Sequence, residues 1–315
     1  MMTGIAPALT AVVLGVMSAA AQPPPNLGIE LAENGHCAEA TPLLKRGLAK
    51  VTDKELRKTI GVHLTRCAMT LNSVDEAITT MRLLTHEFPG DPEVLYLATH
   101  VYSDISIRAS QELMFKSPTS PQVHELNAEA LETQGKWDEA ASEYQQVLKQ
   151  DPNLPGIHFK LGRLYLSRPK TPTTMDDARR EFEEELKINP RNAGAEYVLG
   201  EIARQAEQWP EAIARFTQAS KLDSRFVEAY LGLGRSLLAT DKNAEAIPPL
   251  EKAVKLQPDN PETHFHLATA YRRAGRKADA DREILAQKQA ADKARQARDD
   301  LNKALTGAQV ERAPR

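Results

Sequence analysis

Eight histidines and two cysteines are the side chains of this 315-residue chain best suited to metal binding or nucleophilic chemistry. Their spacing argues against both. His124, His158 and His264 lie at least 34 residues apart. His264 and His266 are separated by two, which turns them to different faces of a helix. No HExxH, GxSxG, GxxxxGKS/T or GxGxxG run occurs. Glu181, Glu183, Glu184 and Glu185 lie among Arg179, Arg180 and Lys187, the pattern of a solvated helix face with its own counter-ions. Cys37 and Cys67 have no CxxC and no nearby histidine cluster, so zinc is not expected. Two cysteines permit one disulfide in an oxidising compartment, or two small buried thiols, and spacing alone leaves that open. No catalytic residue, metal or cofactor is expected.

The elements that would position any site are helical. Aromatic content is 5%, and Ala, Leu, Glu, Lys, Arg and Gln dominate, which favours helix over strand. The net charge of −3 comes from mixed signs, so no basic face points to nucleic acid.

Self-similarity is the strongest signal. Ala140, Tyr144, Val147 and Pro152 set a pattern that returns as Ala178, Phe182, Glu185 and Pro190. It returns again as Ala212, Phe216, Ala219 and Ser224, and as Ala246, Leu250, Ala253 and Pro258. The steps from Ala140 to Ala178, Ala212, Ala246 and Ala280 are 38 residues and then 34 three times. A second motif precedes each: Leu161-Gly162 with Tyr165, Leu199-Gly200 with Ala203, Leu233-Gly234 with Leu237, Leu267-Ala268 with Tyr271. Each unit reads as two amphipathic helices, A and B, with Gly or Ala allowing close approach and Pro ending helix B.

These residues and this period resemble the tetratricopeptide repeat, W-x2-L-G-x2-Y…A-x3-F…P over 34 residues, across almost all of the chain after residue 22. The resemblance implies an all-α, right-handed α-solenoid of about eight helix pairs with a C-terminal capping helix. Residues 121–154, 155–192, 193–226, 227–260 and 261–290 are clear units, 58–91 is good, and 24–54 is a plausible first. Residues 92–120 form a degenerate third unit about five residues short, which predicts a tight turn between its helices. The fifth carries four extra residues within 167–174, an exposed loop with Thr174 or Asp176 to cap the next helix. Pro248 and Pro249 predict a bend early in the helix B of the seventh unit.

The resemblance also implies that helix A positions 2, 5, 9 and 12 line a concave binding surface. Position 5 reads Glu125, Phe159, Tyr197, Leu231 and Phe265, with Tyr96 in the third unit, and its aromatics are anchors for a peptide or else fillers between adjacent A helices. Position 9 reads Glu129, Arg163, Glu201 and Arg235, an alternation that predicts an ionic ladder between neighbouring repeats. Arg204, Arg272 and Arg273 have no partner in that register and suit an acidic ligand or a terminal carboxylate. The Lys and Asn clamp that grips acidic chaperone tails is missing, because its first positions read Glu125 and Glu129, then Phe159 and Arg163. His124, His158 and His264 share position 4 and read as packing residues. The architecture that the resemblance implies brings the segments of Cys37 and Cys67 together, which permits a disulfide between them and leaves two free thiols as the equal alternative.

Residues 1–21 read as a signal peptide, with an apolar run from Ile5 to Ala21 ending in three alanines. An uncleaved anchor is the alternative, since Met1 to Gly4 carries no Lys or Arg. Either places the rest outside the cytoplasm, periplasmic or extracellular. The solenoid is assigned to 22–290, a capping helix extension to 291–306 and a disordered tail to 307–315. The expected function is a non-enzymatic scaffold that holds a protein or peptide segment in its groove. The alternative is an assembly subunit of an envelope complex that docks by its convex face, the 167–175 loop or the terminal helix.

Overall fold

The computed structural model describes residues 25–171 and 173–311. The region read as a signal peptide lies outside the described residues. Among the described residues there are fifteen helices and no strand. They form two compact units, the first ending at Lys116 and the second beginning at Ser117.

The first unit holds α1 (Pro25–Glu33), α2 (Cys37–Lys50), α3 (Lys54–Thr70), α4 (Val74–Glu87) and α5 (Pro92–Lys116). Two helix pairs are followed by one 25-residue helix. The tight turn expected inside 92–120 is therefore not formed. The reason lies in the other turns, where one residue takes the left-handed conformation: Gly35 and Asn72 here, and Gly135, Glu207, Asp241 and Gly275 in the second unit. From Val101 to Lys116 the chain has no Gly, Asn or Pro, the residues that favour a reversal most, and no residue there takes the left-handed conformation, so the helix runs on. Among the described residues this makes seven pairs and one unpaired helix, against the expected about eight pairs.

The second unit pairs α6 (Pro121–Thr133) with α7 (Trp137–Gln150), and α8 (Ile157–Ser167) with α9 (Thr174–Ile188). It continues with α10 (Ala193–Gln205) and α11 (Trp209–Leu222), then α12 (Val227–Ala239) and α13 (Asn243–Leu256). The last pair is α14 (Pro261–Arg273) and α15 (Lys277–Glu311). Helix α15 reaches past residue 306, the end expected for the capping helix, so 307–311 are helical and 312–315 lie outside the described residues. Pro248 and Pro249 sit within α13 without ending it. Thr174 opens α9 but does not cap it; its hydroxyl accepts from the Thr171 amide at 2.7 Å. Arg168 braces the inserted loop, pairing with Asp177 at 3.0 Å and lying 4.6 Å from the Tyr165 ring centre.

The alanine of the repeat is the point of closest approach. Ala40, Ala77, Ala140, Ala178, Ala212 and Ala246 are all fully buried. Four residues on, Leu44, Met81, Tyr144, Phe182, Phe216 and Leu250 are buried too. The facing glycine is there for space. A Cβ at Gly162 would come within 2.9 Å of Phe182, and one at Gly234 within 2.4 Å of Leu250. Each large side chain buried this way contributes about 1.5–3 kcal/mol.

Two features hold neighbouring repeats together. Cys37, the first residue of α2, is disulfide-bonded to Cys67 of α3 with Cα atoms 4.9 Å apart. In the fifth repeat Glu185 replaces an apolar residue and is fully buried. It accepts from the Gly156 amide at 2.8 Å and the Asn192 side chain at 3.0 Å, at the N-terminal caps of α8 and α10. A carboxylate there meets the positive ends of two helices.

Replacing both cysteines by alanine is expected to cost about 2–4 kcal/mol and to speed amide exchange in α1 to α3, leaving α10 to α14 unchanged. Unchanged exchange in α1 to α3 contradicts this role. For Glu185→Ala, which orphans both donors, urea denaturation is expected to show a loss of about 2 kcal/mol; a neutral result would mean that water replaces the carboxylate.

Candidate functional site

Helices α10, α12 and α14 are the A helices of three successive repeats, and α12 packs against both of the others. Their exposed sides line a groove of about 440 Å³. Arg204 comes from the last turn of α10, and Arg235, Leu238 and Ala239 come from α12. Phe265, His266, Thr269, Arg272 and Arg273 come from α14, and Trp209, at the start of α11, closes one end. The lining has four arginines and no Asp or Glu.

Local pairing holds most of these cations in place. Arg204 donates to Glu201, three residues earlier, at 2.8 Å. Arg235 pairs with Glu262 at 3.3 Å. Arg273 donates to the Leu238 carbonyl at 3.0 Å, which fixes its stem across α12. Arg272 is exposed and makes no ion pair among the described residues. Phe265 keeps 48% of its surface exposed beside it. Burial, followed by the nearby Arg235 charge, pushes the His266 imidazole below its ordinary value, and Glu262 opposes this only weakly.

Of the residues expected to form the binding surface, the fold brings together Arg204, Phe265, Arg272 and Arg273. The other three are not in its lining. Phe159 packs edge-on against Phe182, with centroids 5.4 Å apart. Tyr197 packs on Phe216 and Phe226. Phe159 also lies against Gly194 of the next repeat. Tyr96 belongs to α5 in the first unit, where it is 67% exposed and packs on His100.

The expected ionic ladder is not formed. Glu129 pairs with Lys160, which also takes Glu125. Glu201 pairs with Arg204, and Arg235 with Glu262. Arg163 is exposed and makes no ion pair among the described residues. A partner one turn away on the same helix needs no alignment between repeats, and Lys160 reaches the acidic pair of α6 before Arg163 does. Arg204, expected to be unpartnered, is thereby corrected.

Trp209, Arg235 as a groove residue, and His266 were missed. Trp209 opens a B helix, whereas the expected surface was drawn from A helices alone. The three histidines at position 4 bind carboxylates across the A–B seam: His124 to Glu143 at 2.7 Å, His158 to Glu181 at 2.7 Å and His264 to Glu283 at 2.6 Å. Among the described residues, no group of three His, Cys, Asp or Glu side chains could hold a metal ion. No described helix is long and apolar enough to cross a membrane.

Comparison with known proteins bears on the fold. A family model described as a TPR repeat matches residues 128–167. A second, described as a tetratricopeptide repeat, matches 175–219, 203–261 and 231–294. No curated protein matches the chain. The chain is similar to a crystal structure of MamA at 23% identity and TM-score 0.49, covering 55% of this chain and 92% of that one. A double mutant of MamA RS-1 gives 18% identity and TM-score 0.50, over 55% and 95%. YrrB, described as a TPR protein with an unusual peptide-binding site, gives 17% identity and TM-score 0.49, over 58% and 92%. Likeness at these identities concerns the fold alone.

The depressed His266 imidazole carries a pH prediction. The unfolded chain takes up its proton near the ordinary value of 6.5, and the folded chain only at lower pH. Stability is therefore full above about pH 6.5 and falls as the pH drops through that value toward the folded one. In thermal melts from pH 7.5 to 5, His266→Gln is expected to flatten this decline; an unchanged slope contradicts the assignment.

Proposed function

Because the chain belongs to the tetratricopeptide-repeat family, a fold that serves as a protein-interaction scaffold, we propose that it acts outside the cytoplasm as a non-enzymatic scaffold holding a partner protein through the α10–α12–α14 groove. The observation that carries this reading is the groove lining: four arginines without a carboxylate, next to a half-exposed phenylalanine. An acidic protein segment supplies the counter-charge that Arg272 lacks and covers Phe265. Catalysis finds no support, since the groove contains no nucleophile paired with a base. Export is supported by the apolar Ile5–Ala21 run and by the Cys37–Cys67 disulfide, a bond that persists in oxidising compartments.

Charges aligned over three repeats also steer an acidic partner, so association is expected to slow as salt rises.

The test is in-cell photo-crosslinking in the native host, with one probe at Thr269 in the groove and another at Thr173 in the inserted loop. One discrete protein captured at 269, and lost when Arg272→Glu is added, is the expected result. Capture at 173 alone would replace groove binding with the assembly-subunit reading.

A further inference from the structure

The groove reading leaves open which acidic segment fits, and the spacing of the three A helices restricts it. The cations come from three parallel elements: Arg204 on α10, Arg235 on α12, and Arg272 with Arg273 on α14. Packed helices stand about 8–10 Å apart. A chain laid across them therefore crosses a new helix, each bearing at least one of these cations, roughly every 9 Å.

Backbone conformations differ in whether they match that interval. A β-strand rises about 3.3 Å per residue and returns to one face every second residue, which gives repeats of about 6.7 or 13 Å. An α-helix returns every 5.4 Å or so. A polyproline II segment has three residues per turn and rises about 3.1 Å per residue, so every third side chain points the same way at intervals of about 9.3 Å. Polyproline II fits and the others do not. It is also populated before binding, which lowers the entropy lost on docking.

We propose that the groove binds an acidic protein segment in the polyproline II conformation, with a carboxylate at every third residue over about seven residues. This rests on the groove reading above. The first carboxylate meets the free side of Arg204 and the second meets Arg235. The third meets Arg272, the cation without an ion pair among the described residues. The intervening residues lie over Leu238, Ala239 and the exposed face of Phe265, which suits proline or another apolar side chain. The arginine positions carry the same order of commitment. Arg204 and Arg235 already hold a carboxylate and can share their remaining N–H groups, whereas Arg272 offers all of its own.

The test is calorimetric titration of the full chain with three synthetic peptides of one composition. Their glutamates fall at every third residue, at every second residue, or in one block, with proline and alanine between. The period-three peptide is expected to bind about tenfold more tightly than the others, since a wrong register loses a charge-assisted contact. That preference should vanish in Arg272→Glu and persist in Arg163→Glu, whose exposed arginine lies outside the groove. Equal binding of all three peptides, lost in Arg272→Glu, overturns the register and leaves the groove reading standing. No peptide binding, while the Thr269 probe still captures its partner, does the same. Peptide binding that survives Arg272→Glu overturns both.

Discussion

The contact on which the rest depends is the close crossing of helices A and B at a small residue. Where Ala178 meets the Gly162 side of α8, Phe182 fills the space that a Cβ would occupy. The same holds at Ala212, where Phe216 lies against Gly200 and also against Gly232 of the next repeat. One aromatic ring thus joins two repeats. Because the crossing recurs at fixed spacing, the A helices α10, α12 and α14 are brought side by side with one face free. The groove is a consequence of that packing rather than a separate construction.

The cations in the groove illustrate a second constraint. Guanidinium groups gathered at one surface repel each other unless anchored. Arg204 and Arg235 are held by Glu201 and Glu262, and Arg273 by a backbone carbonyl. The two carboxylates balance their own arginines, so the unpaired charge offered to a partner is that of Arg272. The neighbouring cationic field reaches His266 and, together with burial, keeps its imidazole neutral to lower pH.

Most of the fold was legible in the sequence because its rule is periodic. The buried alanines, the bulky residues four positions later and the inserted loop all fall where the 34-residue register puts them. The exceptions arose where periodicity says nothing. In 92–120 the apolar pattern survives without a residue able to reverse the chain, and only the missing left-handed position foretells one long helix. Phe159 and Tyr197 share a register position with Phe265, but Phe182 covers the first and Phe216 and Phe226 the second. Ion pairing was misread for the opposite reason. The alternation of Glu129, Arg163, Glu201 and Arg235 is real in sequence, while closer partners such as Lys160 and Arg204 take the contacts.

The central claim is that a partner protein docks on the free face of α10, α12 and α14. The most direct measurement is the hydrogen-exchange footprint of the full chain with and without the captured partner. The account predicts slowed exchange confined to the exposed faces and C-terminal turns of α10, α12 and α14, with α9, α13 and the 168–173 loop unaffected. Slowed exchange in that loop or in α9 and α13, with the three A helices unchanged, would contradict it.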